Sequence, residues 1–328
     1  MTGKNPKAQV DVAIIIVSYN SEKYIRQCVA TVQDKFAGGA YSSSIVVVDN
    51  ASTDNTRLIL AELEHASSEI RIIHLDNNIG FGPANNIGFR AVFAGYYVLI
   101  NADAWLIANS ISPVIEAMRS NSNIAVCGLP LVFPDGSPQT YVYRFSSWQR
   151  WLLKLLGVGA LVAKLVRVPC LAVPLAHLSF GREFVLNHSR PKLTIKQITE
   201  KKYSGDLRSA DWVCGAAMVI AGDFIRESGG FDPALFLYGE DEDLCIAAHR
   251  SGRAVAVADV APVVHFFGWS VNRFNRHVAD SKFRSLHYFI QKDIKRPLDR
   301  FIIRALLPFY VYGWCRFYLA YSVNLKNV

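Results

Sequence analysis

Asp11-Val-Ala-Ile-Ile-Ile-Val-Ser-Tyr19 decides the fold. From Val12 to Val17 the run is unbroken apolar and rich in β-branched side chains. A strand with one wet face alternates polar and apolar residues, whereas a continuous run marks a strand covered on both faces, as in a parallel sheet between helical layers. Asn20-Ser21 follows as a turn and N-cap. Ile25, Cys28, Val29 and Val32 then recur at i, i+3, i+4 and i+7, the stripe of an amphipathic helix. Further strands are expected at 44–48, 71–75 and 96–100, each running into a polar loop: Asp49-Asn-Ala-Ser-Thr-Asp-Asn-Thr56, Asp76-Asn-Asn78 and Asn101-Ala-Asp103. Strand, polar loop and helix in alternation predict a doubly wound α/β sheet. Its loops leave the carboxyl ends of the strands, where such sheets bind ligands, and each carries Asp or Asn.

A second stretch points to chemistry: Phe236-Leu-Tyr-Gly-Glu-Asp-Glu-Asp-Leu-Cys-Ile-Ala-Ala-His-Arg-Ser-Gly252. Leu244, Ala247 and Ala248 share a helical face, and Gly252 closes the helix at C′. One or two acids in a first turn answer the helix dipole for a few tenths of a kcal/mol. Glu240, Asp241, Glu242 and Asp243 in a row repel one another, which suits a metal, a cationic partner or catalysis.

In order along the chain come Val-Ser-Tyr-Asn at 17–20, Val-Val-Asp-Asn-Ala-Ser-Thr-Asp at 47–54, and Asn78-Ile-Gly-Phe-Gly-Pro-Ala-Asn-Asn-Ile-Gly88. They are followed by Leu-Ile-Asn-Ala-Asp at 99–103, Trp212-Val-Cys-Gly-Ala-Ala-Met218, Gly229-Gly-Phe-Asp232, Tyr238-Gly-Glu-Asp-Glu-Asp-Leu244 and His265-Phe-Phe-Gly-Trp-Ser270. This series resembles the inverting nucleotide-sugar glycosyltransferases of family 2, from about Val12 to Ser270. The implied fold is GT-A: Rossmann-like α/β, a mostly parallel sheet with flanking helices. The asparagine-rich third loop and the Tyr-x-Glu-Asp-x-Asp-Leu block resemble the bacterial rhamnosyltransferase branch, which uses dTDP-rhamnose.

The resemblance implies roles. Asp49 would accept from a pyrimidine N3–H, with Ser18, Tyr19 and Asn20 framing the base; alone it reads equally as a strand-end turn residue. Asn77, Asn78, Gly80 and Asn86 would form the donor loop, its glycines allowing close backbone approach. Asn101-Ala102-Asp103 replaces the family's Asp-x-Asp, so that Asp103 would coordinate Mg²⁺ or Mn²⁺ against the diphosphate. His265 would close the metal site, although a histidine after an apolar strand at 260–264 otherwise reads as core. Trp212 would lie under the sugar or acceptor, with core packing as the alternative. Asp241 would be the catalytic base, Glu240 the second choice, and Asp243 structural. Two positions depart from the family, which often carries Arg where this chain has Ala247 and after the 212–218 strand, where it has Ala221-Gly222. Arg250 or Arg253 are the candidate substitutes.

Composition adds a feature the resemblance does not supply. The chain has 35 basic and 27 acidic residues, net +8. Residues 141–202 hold 11 Lys or Arg against two acids, and residues 271–328 hold 11 against three. What remains is acidic, 13 basic against 22 acidic residues. The expected organisation is a GT-A domain over 1–270 with a basic apolar insert at about 141–202, then a basic, aromatic helical tail over 271–328. The stretches 151–168 and 301–323 are apolar and interrupted by Lys or Arg, short of the ~18 uncharged residues of a spanning helix. They suit an anionic membrane surface, or else a buried subdomain or a homo-oligomer contact. Apolar basic segments without a recognised motif argue against nucleic acid. Six scattered cysteines make no C-x-x-C, and the N-terminus has no apolar h-region, so a cytoplasmic protein, peripheral on the inner membrane face, is expected.

The expected function is therefore transfer of a sugar, rhamnose by the branch resemblance, from a nucleoside-diphosphate sugar to a glycan or polyprenyl-linked acceptor. A hexosyl or galactofuranosyl transferase using a UDP-sugar is the alternative. A sugar nucleotidyltransferase would want a glycine-rich basic loop after the first strand, where this chain has Ser18-Tyr-Asn-Ser-Glu22. An inactive glycan-binding scaffold would have lost Asp103 or the acidic block.

Overall fold

The computed structural model describes residues 9–36, 39–147, 149–150, 192–266 and 276–325, and for 276–279 and 312–325 the backbone alone. The expected 151–168 helix and most of the 141–202 insert lie outside the described residues.

The apolar run forms β1 (Val10–Ser18), and Val12 to Ile16 have no exposed surface. It pairs in parallel with β2 (Ser43–Asp49) on one side and β4 (Ala94–Ile100) on the other, and β2 pairs in parallel with β3 (Ile70–His74). Helices α1 (Ile25–Lys35), α2 (Thr56–Ala66) and α3 (Phe81–Ala91) make the crossovers. Ile25, Cys28, Val29 and Val32 are the buried face of α1, as their spacing predicts. The helix starts later than expected. Ser21 opens a turn, its carbonyl accepting from the N–H groups of Tyr24 and Ile25, and Tyr24 is the N-cap residue.

Beyond β4 the sheet turns mixed. β5 (Ala104–Leu106), α4 (Ile111–Ser120), β6 (Ile124–Gly128), β7 (Leu131–Val132) and β8 (Val142–Tyr143) lead to the insert. α5 (Ile195–Glu200) lies at its end, followed by β9 (Leu207–Ser209), β10 (Trp212–Val213), β11 (Ala217–Ala221) and α6 (Gly222–Ser228). The acidic block opens α7 (Glu240–Arg250), followed by β12 (Ala254–Ala258), β13 (Val263–His265), α8 (Arg276–Asp293) and α9 (Pro297–Leu325). The main sheet has the order β3-β2-β1-β4-β11-β6-β12-β9. β11 runs antiparallel between β4 and β6, and β9 is an antiparallel edge on β12. The architecture is thus α/β, a mostly parallel sheet flanked by helices, with helices at the C-terminus.

Two small sheets complete the molecule. β5, β13 and β7 form one, and β8 with β10 the other. The strand expected at 260–264 is shifted to Val263–His265, which brings His265 opposite Ala104. In the tail, Leu286, Phe289 and Ile290 of α8 and Ile303, Leu307 and Val311 of α9 bury a second core around Leu235.

Candidate active site

The parallel register builds the first wall. Ser18 lies beside Asp49 across β1 and β2, and Asp49 beside His74 across β2 and β3. Asp49 is fully buried. Its Oδ2 accepts from Arg57 Nε at 2.7 Å and lies 3.2 Å from His74 Nδ1, and its Oδ1 accepts from the Ser52 N–H. Arg57 and His74, which the sequence reading did not single out, therefore share this carboxylate and line the expected base edge. Asn20, in the left-handed region at φ 49°, ties the first loop to the second. Its N–H donates to Ser52 Oγ and its Oδ1 accepts from the Thr53 N–H. Ser18 Oγ is buried with no hydrogen-bond partner among the described residues. Tyr19 sits in the same turn, its N–H donating to Ser21 Oγ.

Asn50 links the second loop to the third. Its amide donates to Asn78 Oδ1 and to the Gly80 carbonyl, and its Oδ1 accepts from the Ile79 N–H. Asn77 is exposed at the loop tip. Gly80 is required, but for a different reason from the expected approach to a ligand. At φ 95° an added Cβ would stand 2.3 Å from the Phe236 carbonyl oxygen, to which the Phe81 N–H also donates. Asn86 likewise departs from its expected donor role. Both ends of its amide engage the Phe231 backbone, at 2.7 and 2.9 Å, so it clips α3 to the 229–232 loop.

The candidate metal residues converge. His265 Nε2 lies 3.4 Å from Asp103 Oδ1 and 3.3 Å from Asn101 Nδ2, and all three side chains are largely buried or half-buried. Gln139 fixes the imidazole: its Oε1 accepts from Nδ1 at 3.0 Å, while its Nε2 donates to the carbonyl of His265. Nδ1 thus donates to Gln139, and Nε2 is turned toward the Asp103 carboxylate. An oriented histidine with a hard carboxylate beside it fits Mg²⁺ or Mn²⁺. Asn101 Oδ1 is buried with no hydrogen-bond partner among the described residues, a further oxygen at this place. Among the described residues no group of three His, Cys, Asp or Glu side chains gathers to hold a metal. Burial, then the charge of Asp103, pushes the nearby Tyr24 phenol up to about 12.

The four acids of α7 divide their work. Glu242 accepts from the Ser146 N–H and Oγ, holding the strand of chain that enters the insert. Asp243 pairs with Lys292 of α8 at 2.7 Å. Glu240 and Asp241 face α3 and the 214–216 turn. Asp241 Oδ2 accepts from the Gly215 N–H at 3.2 Å, and a Cβ on Gly82 of α3 would meet that of Glu240 at 3.6 Å. One oxygen of Glu240 is buried with no hydrogen-bond partner among the described residues. Burial raises both carboxyls above the usual carboxylate range, and the Asp241 charge raises Glu240 further.

The turn 214–216 joins the two halves. Gly215 donates to Asp241 while the Ala216 carbonyl accepts from the Asn101 N–H. The Cys214 thiol is pushed up to about 12 by burial, then by Asp241, Glu240 and Asp103, so both halves act on one sulfur. Trp212 stands beside this turn, stacked on Tyr143 with centroids 4.1 Å apart and its Nε1 donating to the Arg144 carbonyl. The candidate replacement arginines are engaged elsewhere, Arg250 with Asp293 and Arg253 with Asp223. Nor could position 222 carry a side chain, since its Cβ would lie 2.2 Å from the Ala94 carbonyl oxygen.

Residues 13–172 match the family model described as Glycosyl transferase family 2. The chain is 28% identical over 128 residues to the "Putative teichuronic acid biosynthesis glycosyltransferase TuaG" of Bacillus subtilis, covering 39% of this chain and 50% of that protein. It is 30% identical over 127 residues to the "Succinoglycan biosynthesis protein ExoO" of Rhizobium meliloti, covering 38% and 35%. The chain thus spans half or less of the length of these curated relatives. Among solved structures, a mannosyltransferase from Pyrobaculum calidifontis in complex with GDP-Man and Mn²⁺ superposes with a TM-score of 0.55 at 14% identity, covering 98% of this chain and 76% of that one. That likeness is one of fold.

Proposed function

We propose that this chain is an inverting glycosyltransferase of cell-surface polysaccharide synthesis, moving a sugar from a nucleoside-diphosphate donor to a glycan or polyprenyl-linked acceptor. The observation that carries the reading is the 214–216 turn, which holds Asp241 on one side and the Asn101–Asp103 loop on the other. An inverting displacement needs a base and a leaving-group site on opposite faces of one sugar. Asp241 takes the proton of the acceptor hydroxyl as its oxygen bonds to the anomeric carbon and the bond to the nucleotide breaks. A divalent ion on Asp103 and His265, when bound, supplies counter-charge to the departing diphosphate. Asp49, Arg57 and His74 recognise the base, and Ser18, Tyr19, Asn20, Asn77 and Asn78 line the donor pocket. Asn101 orients His265, and Trp212 borders the acceptor side. The match of 13–172 and the named relatives support the class, and the third loop with the acidic block supports dTDP-rhamnose as donor.

The test is binding of UDP-, GDP- and dTDP-sugars with Mn²⁺, followed by thermal shift, in wild type and Asp103→Ala. The reading expects a dTDP-sugar to bind best, with loss of binding in Asp103→Ala and on chelation. Tighter binding of a UDP-hexose replaces rhamnosyl with hexosyl or galactofuranosyl transfer, and no binding of any nucleotide sugar overturns the class.

A further inference from the structure

The acidic pair sits at the end of a loop that its own backbone does not favour. Tyr238 is held at φ 71° and Gly239 at φ 96° immediately before Glu240. A left-handed conformation at a residue such as Tyr238 persists where surrounding contacts over-determine it. Those contacts come from α8. Ser285 Oγ accepts from the N–H groups of Phe236 and Leu237 at 3.2 and 3.3 Å. Lys282 Nζ stands 4.3 Å from the centroid of the Tyr238 ring, and Leu235 is buried among Leu286, Phe289 and Ile290.

Lys292 closes this arrangement. Its ammonium lies 2.7 Å from Asp232, where the loop begins, and 2.7 Å from Asp243, one turn into α7. Tyr288 also donates to Asp232, at 3.1 Å. Asp243 follows Glu240 by three residues and so shares its side of the helix. A tie at Asp243 therefore sets the rotation of α7 about its axis, and with it the directions in which Glu240 and Asp241 point.

We infer that Lys292 is a positioning residue for the Glu240–Asp241 pair: by bridging Asp232 and Asp243 it closes the 232–239 loop and fixes the rotation of α7. The C-terminal helices then belong to the reacting site as its brace. This rests on the reading of Glu240 and Asp241 as the reacting acids.

The experiment compares donor binding and turnover in the full chain. Lys292→Met should bind the nucleotide sugar with Mn²⁺ as wild type does, yet turn over roughly 10- to 10²-fold more slowly, the scale of a small misplacement of a reacting group. Lys292→Arg, which keeps the charge, should recover most of that loss. Full turnover in Lys292→Met overturns the inference, as does a parallel loss of donor affinity and turnover in a folded protein. If Lys292→Met does not fold, the Asp243→Asn/Lys292→Met pair removes the tie without stranding the Asp243 charge, while Asp232 keeps its bonds from Tyr288 and the Ala234 N–H. Slow turnover with intact donor binding then supports the inference, and normal turnover overturns it. Wild type that binds a donor but transfers nothing to any acceptor counts against the proposed function instead.

Discussion

Adjacent carboxylates in one helical turn point in different directions, because successive residues are rotated by about 100°, and only Glu240 and Asp243, three apart, share a side. Glu242 finds Ser146, Asp243 finds Lys292, and Glu240 and Asp241 are left to the site. The assignment to Asp241 predicts that Asp241→Asn leaves donor binding nearly intact and lowers turnover by roughly 10²-fold or more. Stopped-flow or steady-state transfer assays with a fixed donor would measure it, and unchanged turnover would move the base to Glu240. Burial raises the Asp241 carboxyl, and the base works ionised. Rate should therefore fall on the acid side at a pH above that of an ordinary carboxylate. The same shift bears on stability. A carboxyl raised in the folded state binds its proton there more tightly than in the unfolded chain, so the stability it contributes is present at low pH and lost as pH rises through the folded value. Glu240→Gln should consequently melt higher than wild type at pH 8, by on the order of 1 kcal/mol, and show a smaller gain at pH 5.

At the scale of elements, the loops are held to one another by hydrogen bonds of their own. Asn20 joins the first to the second, Asn50 the second to the third, and Gly80 with Phe81 the third to the loop before α7. Gly80 is the tightest of these joints. A methyl there would meet the Phe236 carbonyl oxygen at 2.3 Å, on a backbone already at φ 95°. Gly80→Ala should destabilise the protein by about 2 kcal/mol or more and weaken donor binding with it, read by denaturant unfolding and nucleotide titration. Wild-type stability in that variant would show that the two loops part easily. The elements themselves follow from pattern: the apolar run of β1 and the stripe of α1 were both legible. The start of α1 was not, because the Ser21 hydroxyl bonds back to Tyr19, accepting from its N–H and donating to its carbonyl, instead of capping its own helix.

For the whole molecule, charge and apolar surface coincide on the tail. Leu298, Phe301 and Phe309 are 65%, 73% and 66% exposed along α9, on a helix that also carries Arg300 and Arg304. No helix among the described residues is long and apolar enough to cross a membrane. We propose that this face rests on an anionic membrane and brings the site to a lipid-linked acceptor, with each basic residue near the surface worth on the order of 1 kcal/mol and screened by salt. Vesicle sedimentation should show tighter binding to anionic than to zwitterionic lipid, partial release at high salt, and weaker binding in Phe301→Ser/Phe309→Ser. Removing α9 altogether is a poor test, since Ile303 and Leu307 are fully buried against the Leu235 core. Equal, negligible binding to both lipids would overturn this and point to a buried subdomain or a dimer contact instead.

The sequence by itself determined the parallel half of the sheet, the loops that carry polar residues, and the acidic helix. Each of these depends on local periodicity or on side-chain type. Tertiary structure decided which polar residues face the site and which hold the frame. Asn86 and Asn50 look alike in sequence, yet Asn86 engages the Phe231 backbone 145 positions away and Asn50 ties two loops. His74, Arg57 and Gln139 had no local signal. His74 reaches Asp49 through strand register, Arg57 through a crossover helix, and Gln139 orients His265 from 126 residues away. Hydrogen bonds between residues so far apart leave no period in the chain, so the division between ligand-facing and frame-holding side chains is written only in the folded arrangement.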